Sequence, residues 1–331
     1  MSSLMAVEPF LSDAKKLSGQ NILVLGDLML DQWMWGQVSR ISPEAPVPVV
    51  DVDRTTYTPG GAANVVSNLL TLGSQVTLAG LIGDDDTGTR LRGLLEQAGA
   101  RTAGLVVSGR RRTTVKTRII AHSQQVVRVD QEDRTPFEEA EIASLRSWLF
   151  EHLEGFDGVF LSDYDKGLFT CAGLREFWPR LYQGEVPVIA GPKPSNLEVF
   201  RGVDCLTLNA SEAASATGLM MDSLESTNKA GEKLLKLSDS KAVLITQGEK
   251  GMTYFPRQGG PISERAFATE VYDVSGAGDT VLTVMGLGLC AALDPASAVK
   301  LASHAAAVVV RKLGTATVTV EEIRESLRQR G

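Results

Sequence analysis

Three cysteines in 331 residues leave little sulfur chemistry to consider. Cys171, Cys205 and Cys290 are odd in number, far apart and free of CxxC spacing. That argues against a disulfide frame or a thiolate metal cluster and reads as reduced, buried thiols of a cytoplasmic protein. The three histidines, His122, His152 and His304, form no HExxH or other paired pattern, so a zinc enzyme is not expected. Positive charge is also short. Lys and Arg number 33 against 40 Asp and Glu, a net charge of −7, which leaves no global basic field for nucleic acid. No apolar stretch reaches the roughly 18 residues of a membrane span. The longest candidate, 281–293, is too short and broken by glycines. The first 20 residues show no basic segment followed by an apolar one, so no signal peptide is expected.

What the chain does have is core material and a rhythm. Hydrophobic residues make up 43% of it, enough for one large α/β domain or two ordinary ones. Residues 21–25 (NILVL) form a compact apolar run ending at Gly26-Asp27, the pattern of a buried parallel strand. Strand at 75–82 and helix at 88–98 follow. After Pro136, helices at 137–153, 172–182, 211–217 and 226–237 alternate with strands at 158–162, 186–190, 204–208 and 242–246. Strands near 252–255 and 266–271 and helices near 278–292, 295–312 and 320–328 complete the chain. Such alternation predicts βαβ units and a parallel sheet covered on both faces. Two segments, about 33–57 and 110–130, do not fit it. Residues 113–130 alternate apolar and polar, which predicts half-exposed strands turning near His122-Ser123. The expectation is a single α/β domain over 1–331 with a small β lid inserted in it.

The strongest local signal is Asp273-Val274-Ser275-Gly276-Ala277-Gly278-Asp279-Thr280, directly before an apolar helix. The glycines let backbone approach a ligand closely. Gly276, Ala277 and Gly278 sit where a helix N-terminus offers free N–H groups to an anion. Asp279 falls in the first helical turn, beside the place of a bound phosphate, where a carboxylate can take a proton from an attacking hydroxyl. Without a ligand, the same residues would be a glycine turn with an N-terminal capping Asp.

DVSGAGDT resembles the C-terminal signature of the ribokinase-like, or PfkB, sugar kinases. The family's other signature, a glycine pair near the N-terminus, is matched by Pro59-Gly60-Gly61-Ala62-Ala63-Asn64-Val65. The motifs stand in the family's order, and the resemblance runs from about Gly26 to Thr319. It implies a ribokinase-like three-layer α/β/α sandwich with a small β-sheet lid, ATP and Mg²⁺ as cofactors, a monovalent cation as a further candidate, and a homodimer paired through the lid. A narrower resemblance is to the heptose 7-phosphate kinases. It is carried by Gly26-Asp27-Leu28-Met29-Leu30-Asp31, by Val38–Val49, by Ser162-Asp163-Tyr164 with Lys166-Gly167, and by Lys312–Thr317. It implies phosphorylation of D-glycero-D-manno-heptose 7-phosphate at O1 on the route to ADP-heptose, a lipopolysaccharide precursor. Many of those enzymes are fused to a nucleotidyltransferase, and the stretch seen here is expected to carry only the kinase part.

The resemblance also implies roles for single residues. Asp27 and Asp31 would face sugar hydroxyls, Gly60 and Gly61 would admit the sugar, and Asn64 would hydrogen-bond it. Lys116, Arg118 and Arg128, in an otherwise acidic protein, would hold the substrate phosphate, with Lys116 and Arg118 on one strand face. As bland alternatives, the carboxylates cap turns and the cations line a solvated strand edge. Asn209-Ala210-Ser211-Glu212 matches the family's NxxE element, in which Asn209 and Glu212 order Mg²⁺ through water; a helix cap is its alternative. Thr246, Gly248 and Gly251 resemble the nucleotide loop, and Lys166 and Lys193 follow strand ends where the family contacts phosphates.

The chain departs from the pattern at three places. Gly191-Pro192-Lys193 stands for Asp-Pro-Lys, Asp165 interrupts Tyr-Gly-Lys-Gly, and Ser303 replaces an Asn close to the adenine. These departures keep open a kinase of another sugar or sugar phosphate, and a non-catalytic sugar- or nucleotide-binding member. A dinucleotide oxidoreductase is set aside because Gly26-Asp27-Leu28 is no GxGxxG.

Overall fold

The computed structural model describes residues 2–122, 124–267 and 270–330. It opens with a helix that no pattern in the sequence announces, α1 (Ser2–Lys15), whose Val7, Leu11 and Ala14 are buried. In β1 (Asn21–Gly26), Ile22 and Val24 enter one core and Leu23 and Leu25 another. Burial on both faces is why this run is apolar throughout. β2 (Leu28–Ile41) and β3 (Pro48–Gly61) form a long antiparallel hairpin that delivers the chain to α2 (Ala62–Thr71). β4 (Gln75–Gly83), α3 (Asp86–Gln97) and β5 (Arg101–Ser108) follow, and β5 has no counterpart among the expected strands. β6 (Thr114–Ala121) and β7 (Gln124–Gln131) make the expected hairpin; Ser123 of its turn lies outside the described residues.

The expected alternation then runs through α4 (Glu139–His152), β8 (Gly158–Ser162), α5 (Phe177–Tyr182), β9 (Val188–Gly191), β10 (Cys205–Asn209), α6 (Ala210–Thr217), α7 (Leu224–Ser238) and β11 (Ala242–Thr246). The helix expected over 172–182 is divided, a 3₁₀ turn at Ala172–Leu174 preceding α5. β12 (Met252–Pro256) and β13 (Ile262–Glu264) come next. The strand expected at 266–271 is thus corrected to an earlier one, set by antiparallel pairing of 262–264 with β12. Residues 268 and 269 of the expected strand lie outside the described residues. α8 (Ala277–Cys290), α9 (Pro295–Val309) and α10 (Val320–Arg330) close the chain.

The large sheet has the order β13-β12-β11-β10-β9-β8-β1-β4-β5. From β11 to β5 its strands are parallel, and β12 and β13 add an antiparallel edge. One core packs this sheet against α1, α2, α8, α9 and α10, the other against α4, α5, α6 and α7, which makes three layers. From β1 the chain proceeds to β4 on one side and later to β8 on the other. The carboxyl ends of β1 and β8 therefore flank the crevice where strand order reverses, the usual ligand site of such sheets.

The second sheet, in the order β3-β2-β6-β7, holds the two segments that broke the rhythm, now extended to 28–61 and 114–131. Its register sets Asp31, Lys116 and Asp130 in one cross-strand row and Trp33, Arg118 and Arg128 in the next row on the same face. The opposite face carries Met34, Ile119 and Val127.

Candidate active site

The N-terminus of α8 faces this crevice. Gly276 caps it at φ 79°, a left-handed conformation that suits glycine, and a Cβ there would lie 2.8 Å from Asn64 Nδ2. At Gly278 a Cβ would meet nothing within 4 Å, so the space before the helix is open. The Ala277 amide donates to the Val274 carbonyl at 3.2 Å and so belongs to the turn. Gly276 and Gly278 keep the place expected of them at the start of the helix.

Asp279 is held from two sides. Asn64 Nδ2 donates to its Oδ2 at 2.6 Å and the Tyr164 hydroxyl to its Oδ1 at 2.7 Å. Behind them the Asn68 amide donates to the Asn64 carbonyl, and the Thr280 hydroxyl donates to Asn68 Oδ1, which ties α2 to α8. Burial raises the Asp279 pKa above the usual carboxylate range and the Asp31 charge adds to it, against the lowering pull of the two donors and Lys193.

Asp31 forms the second centre. It is buried, its Oδ1 accepts from Arg118 at 2.5 Å, and the Arg118 guanidinium lies 4.7 Å from the centre of the Trp33 ring. Gly60 lets the carboxylate fit, since a Cβ there would stand 2.6 Å from Asp31 Oδ2. Gly61, at φ 59°, would press a Cβ on the Asp27 carbonyl at 2.6 Å and turns the chain into α2. Lys116 reaches over the Tyr164 ring at 5.8 Å, its ammonium pKa lowered by burial and by Lys166.

Beyond Tyr164 the cleft continues between the ends of β9, β10 and β11. Lys193 Nζ lies 5.2 Å from the Tyr164 ring centre and donates to Glu212 Oε1 at 2.6 Å. Asn209 and Glu212 cap α6 reciprocally, each side chain accepting the other's amide at 2.9 Å. Capping and a place in the cleft therefore coexist, and Thr246 lines the same space. With both Glu212 oxygens engaged, these residues suit Mg²⁺ carried by a nucleotide and touched through water, the habit of a small, reluctantly dehydrated cation. Gly191 packs where a Cβ would meet Leu282 at 2.9 Å, so an Asp there would require Leu282 to move.

Several expected residues do not join this group. Asp27 is buried beneath the loop after β8, where its Oδ2 accepts from the Tyr164 and Lys166 amides at 2.8 and 3.1 Å. That oxygen holds the loop. The Lys166 ammonium donates to Glu132 at 2.5 Å and is committed to the end of β7. Arg128 is exposed and paired with Asp130 through two bonds of 2.9 and 3.0 Å. The buried Ser303 hydroxyl donates to the Arg265 carbonyl. Gly248 and Gly251 shape the turn between β11 and β12 through positive φ values. Tyr164 stands in the motifs that carry the narrower resemblance, but they assign it no role. Its position, a polar Ser-Asp-Tyr at the carboxyl end of a buried strand, is the local signal for a place in the crevice.

Burial and the neighbouring Asp163 push Asp27 up to about 7. A carboxyl with a raised folded pKa binds more protons folded than unfolded between about pH 4 and 7, so its contribution to stability falls as pH rises through that window. Asp27→Asn keeps an acceptor for the two amides and removes the charge. Melting curves are expected to show the variant gaining on the parent protein between pH 5 and pH 8. A constant difference across that range would mean that Asp27 is already ionised at pH 5.

A parallel sheet with its crevice at the strand reversal, a carboxylate in the first turn of a glycine-capped helix and a small sheet bringing Lys116 and Arg118 beside it define a phosphotransferase acting on an alcohol group. The chain belongs to the pfkB family of carbohydrate kinases, whose model matches residues 20–322. Among curated proteins it is similar to the bifunctional protein HldE of Trichlorobacter lovleyi, at 43% identity over 309 residues, covering 93% of this chain and 63% of that protein. HldE of Geobacter sulfurreducens is 43% identical over 307 residues, again 93% of this chain and 63% of the relative. The chain thus spans somewhat less than two thirds of the length of these relatives. Among solved structures, Escherichia coli phosphofructokinase-2 in complex with potassium superposes with a TM-score of 0.77 at 18% identity, covering 94% of this chain and 99% of that one. Arabidopsis thaliana ribokinase complexed with ribose and ATP gives a TM-score of 0.71 at 18% identity, with 94% and 99% coverage. These neighbours show the fold, which is ribokinase-like. Among the described residues no helix is long and apolar enough to cross a membrane.

Proposed function

We propose that this chain transfers the γ-phosphoryl group of ATP to the 1-hydroxyl of D-glycero-D-manno-heptose 7-phosphate, giving the 1,7-bisphosphate. The observation that carries this reading is Lys116. Arg118, Arg128, Lys166 and Lys193 each have a carboxylate within 3 Å, whereas Lys116, among the described residues, forms no ion pair. A partly desolvated ammonium that Asp31 and Asp130 flank without a close ion pair among the described residues, on the sheet face near Tyr164, is suited to an anionic group of the acceptor. The motifs at Gly26–Asp31 and Val38–Val49 support a heptose phosphate as that acceptor, and the similarity to HldE supports the same choice.

In this reading Asp31 accepts from sugar hydroxyls and Asp279 takes the proton from the attacking one. The Gly276 and Gly278 amides meet the transferring phosphoryl group, and Lys193 meets the nucleotide. Mg²⁺, bound with ATP, would neutralise phosphate charge, with Glu212 and Asn209 ordering its waters. The small sheet acts as a lid on one catalytic unit, and closure excludes water. Exposed Val127 and Val129 on its outer side support pairing with a second copy, and the setting is cytoplasmic.

The test is ADP release with Mg-ATP and the heptose 7-phosphate, with fructose 6-phosphate and ribose alongside, and with potassium present or absent. Lys116→Met is expected to raise KM for the phosphorylated sugar about 10- to 100-fold, the worth of one charge-assisted contact, with KM for ATP unchanged. Turnover of another sugar alone would keep the kinase and remove the heptose. ATP binding without any turnover would favour a non-catalytic member of the family.

A further inference from the structure

We propose that Tyr164 is the positioning residue of the catalytic base: its phenol holds one oxygen of Asp279 and fixes the plane in which the carboxylate meets the acceptor hydroxyl. The inference rests on the reading of Asp279 as base and adds a residue to which neither the sequence motifs nor the family resemblance gives a role.

Two donors are needed to fix a carboxylate in rotation as well as in place. Asn64 supplies one, to Oδ2 at 2.6 Å, and Tyr164 the other, to Oδ1 at 2.7 Å. Asn64 is buried in α2, next to the Asn68–Thr280 contact that braces α8. Tyr164 comes from the loop after β8, and that loop is anchored at several points. The Tyr164 amide donates to buried Asp27 at 2.8 Å, and buried Asp163 accepts from the amides of Asp165 and Lys193 at 2.8 and 2.9 Å. Arg111 Nη1 donates to the Lys166 carbonyl at 2.9 Å. The phenol oxygen is thus delivered by backbone that has little freedom to move.

The ring stands between two cations, Lys116 at 5.8 Å from the small sheet and Lys193 at 5.2 Å from the body. Ammonium groups only donate, so the O–H remains committed to Asp279. The charged groups facing the pair are Asp31 on β2, Lys116 on β6, Lys193 after β9 and Glu212 on α6. Burial and the negative neighbours Asp279, Asp31 and Glu212 raise the phenol pKa well above its ordinary value, so Tyr164 stays a donor across the working pH range. A permanent donor stabilises the ionised carboxylate, the form that accepts a proton, and opposes the upward push of burial on Asp279.

Tyr164→Phe removes one oxygen and leaves the ring, both cation contacts and every backbone anchor. With the sugar phosphate that the parent protein turns over, kcat is expected to fall about 10- to 100-fold, the worth of a bond to a charged group. KM for ATP and for the sugar should stay within about threefold, since ΔΔG below ~1 kcal/mol separates the two variants in binding. The acidic limb of the kcat–pH profile should move up by about one pH unit, because the donor that lowers the Asp279 pKa is gone. A merely structural tyrosine would lower stability without moving the limb. An unchanged kcat with an unmoved limb would overturn the proposal. If the parent protein turned over no sugar at all, the reading of Asp279 as base would fall on that result. The pairing would then be judged by denaturation of Tyr164→Phe, Asp279→Asn and the double variant. Non-additive midpoints support it, and additive midpoints overturn it.

Discussion

Asp279→Asn is expected to lower kcat by about 10²–10⁴-fold with any sugar the enzyme accepts, the usual worth of a general base. The protein should remain folded. The carboxylate is an unfavourable charge in its surroundings, as the burial-driven rise of its pKa indicates, so removing the charge relieves a cost. The amide keeps one oxygen for Asn64 Nδ2, and the Tyr164 hydroxyl can rotate to accept from the new NH₂ group where it formerly donated. Nucleotide binding should be little changed, because the Gly276 and Gly278 amides, Lys193 and Glu212 are untouched. The pH profile provides a second reading. Activity requires the ionised base, so it rises as pH passes through the Asp279 pKa, which lies above the ordinary carboxylate range. In the variant the residual rate should lose that limb. A variant within a few-fold of the parent protein would show that the acceptor hydroxyl gives up its proton without help from Asp279.

The parts of this arrangement that the sequence makes legible are those with a local cause. The alternation from Pro136 onward identifies βαβ units because its strands are buried on both faces and helices separate them in the chain. The glycines of 276 and 278 are legible because a helix start open to a ligand needs backbone without a side chain. Less is visible where distant segments decide. β5 begins Arg-Thr-Ala-Gly and is a strand because β4 pairs with it, a partner that no local pattern records. The charges show the same limit. Asp27, Asp31, Lys116, Arg118, Arg128 and Lys166 look interchangeable as candidates for sugar or phosphate, and only the register and the loop after β8 sort them. That loop takes Asp27 as its anchor, Glu132 takes Lys166, Asp130 takes Arg128 and Asp31 takes Arg118, so of these four cations Lys116 is the one with no ion pair among the described residues. Tyr164 is hidden for a related reason. Its contact with Asp279 spans 115 residues, so a motif can mark the tyrosine but not the partner that gives it a role.

The Asp31–Arg118 pair leads to the other large effect, and it separates stability from catalysis. Both side chains are nearly sealed from solvent, at 4% and 11% exposure, with Trp33 covering the guanidinium. Asp31→Ala would leave a buried, unpaired guanidinium, and the expected loss of stability is about 3–5 kcal/mol. Activity should vanish as well, but that result alone would not show whether Asp31 serves the substrate or only the fold. Replacing both partners resolves it. Asp31→Leu with Arg118→Met exchanges the ion pair for apolar groups of similar volume, which for buried pairs is often neutral or stabilising. Denaturant unfolding of the double variant is therefore expected to return to near the parent midpoint. Its turnover should remain lost, because no carboxylate is left beside Gly60 to accept the sugar hydroxyls. Recovery of both stability and turnover would make the pair scaffolding and transfer sugar recognition to Asn64 and the backbone at Gly60 and Gly61. A single Asp31→Ala variant as stable as the parent would mean that Arg118 had swung from Trp33 to a new partner, with Asp130 in the adjacent cross-strand row the nearest carboxylate on β7.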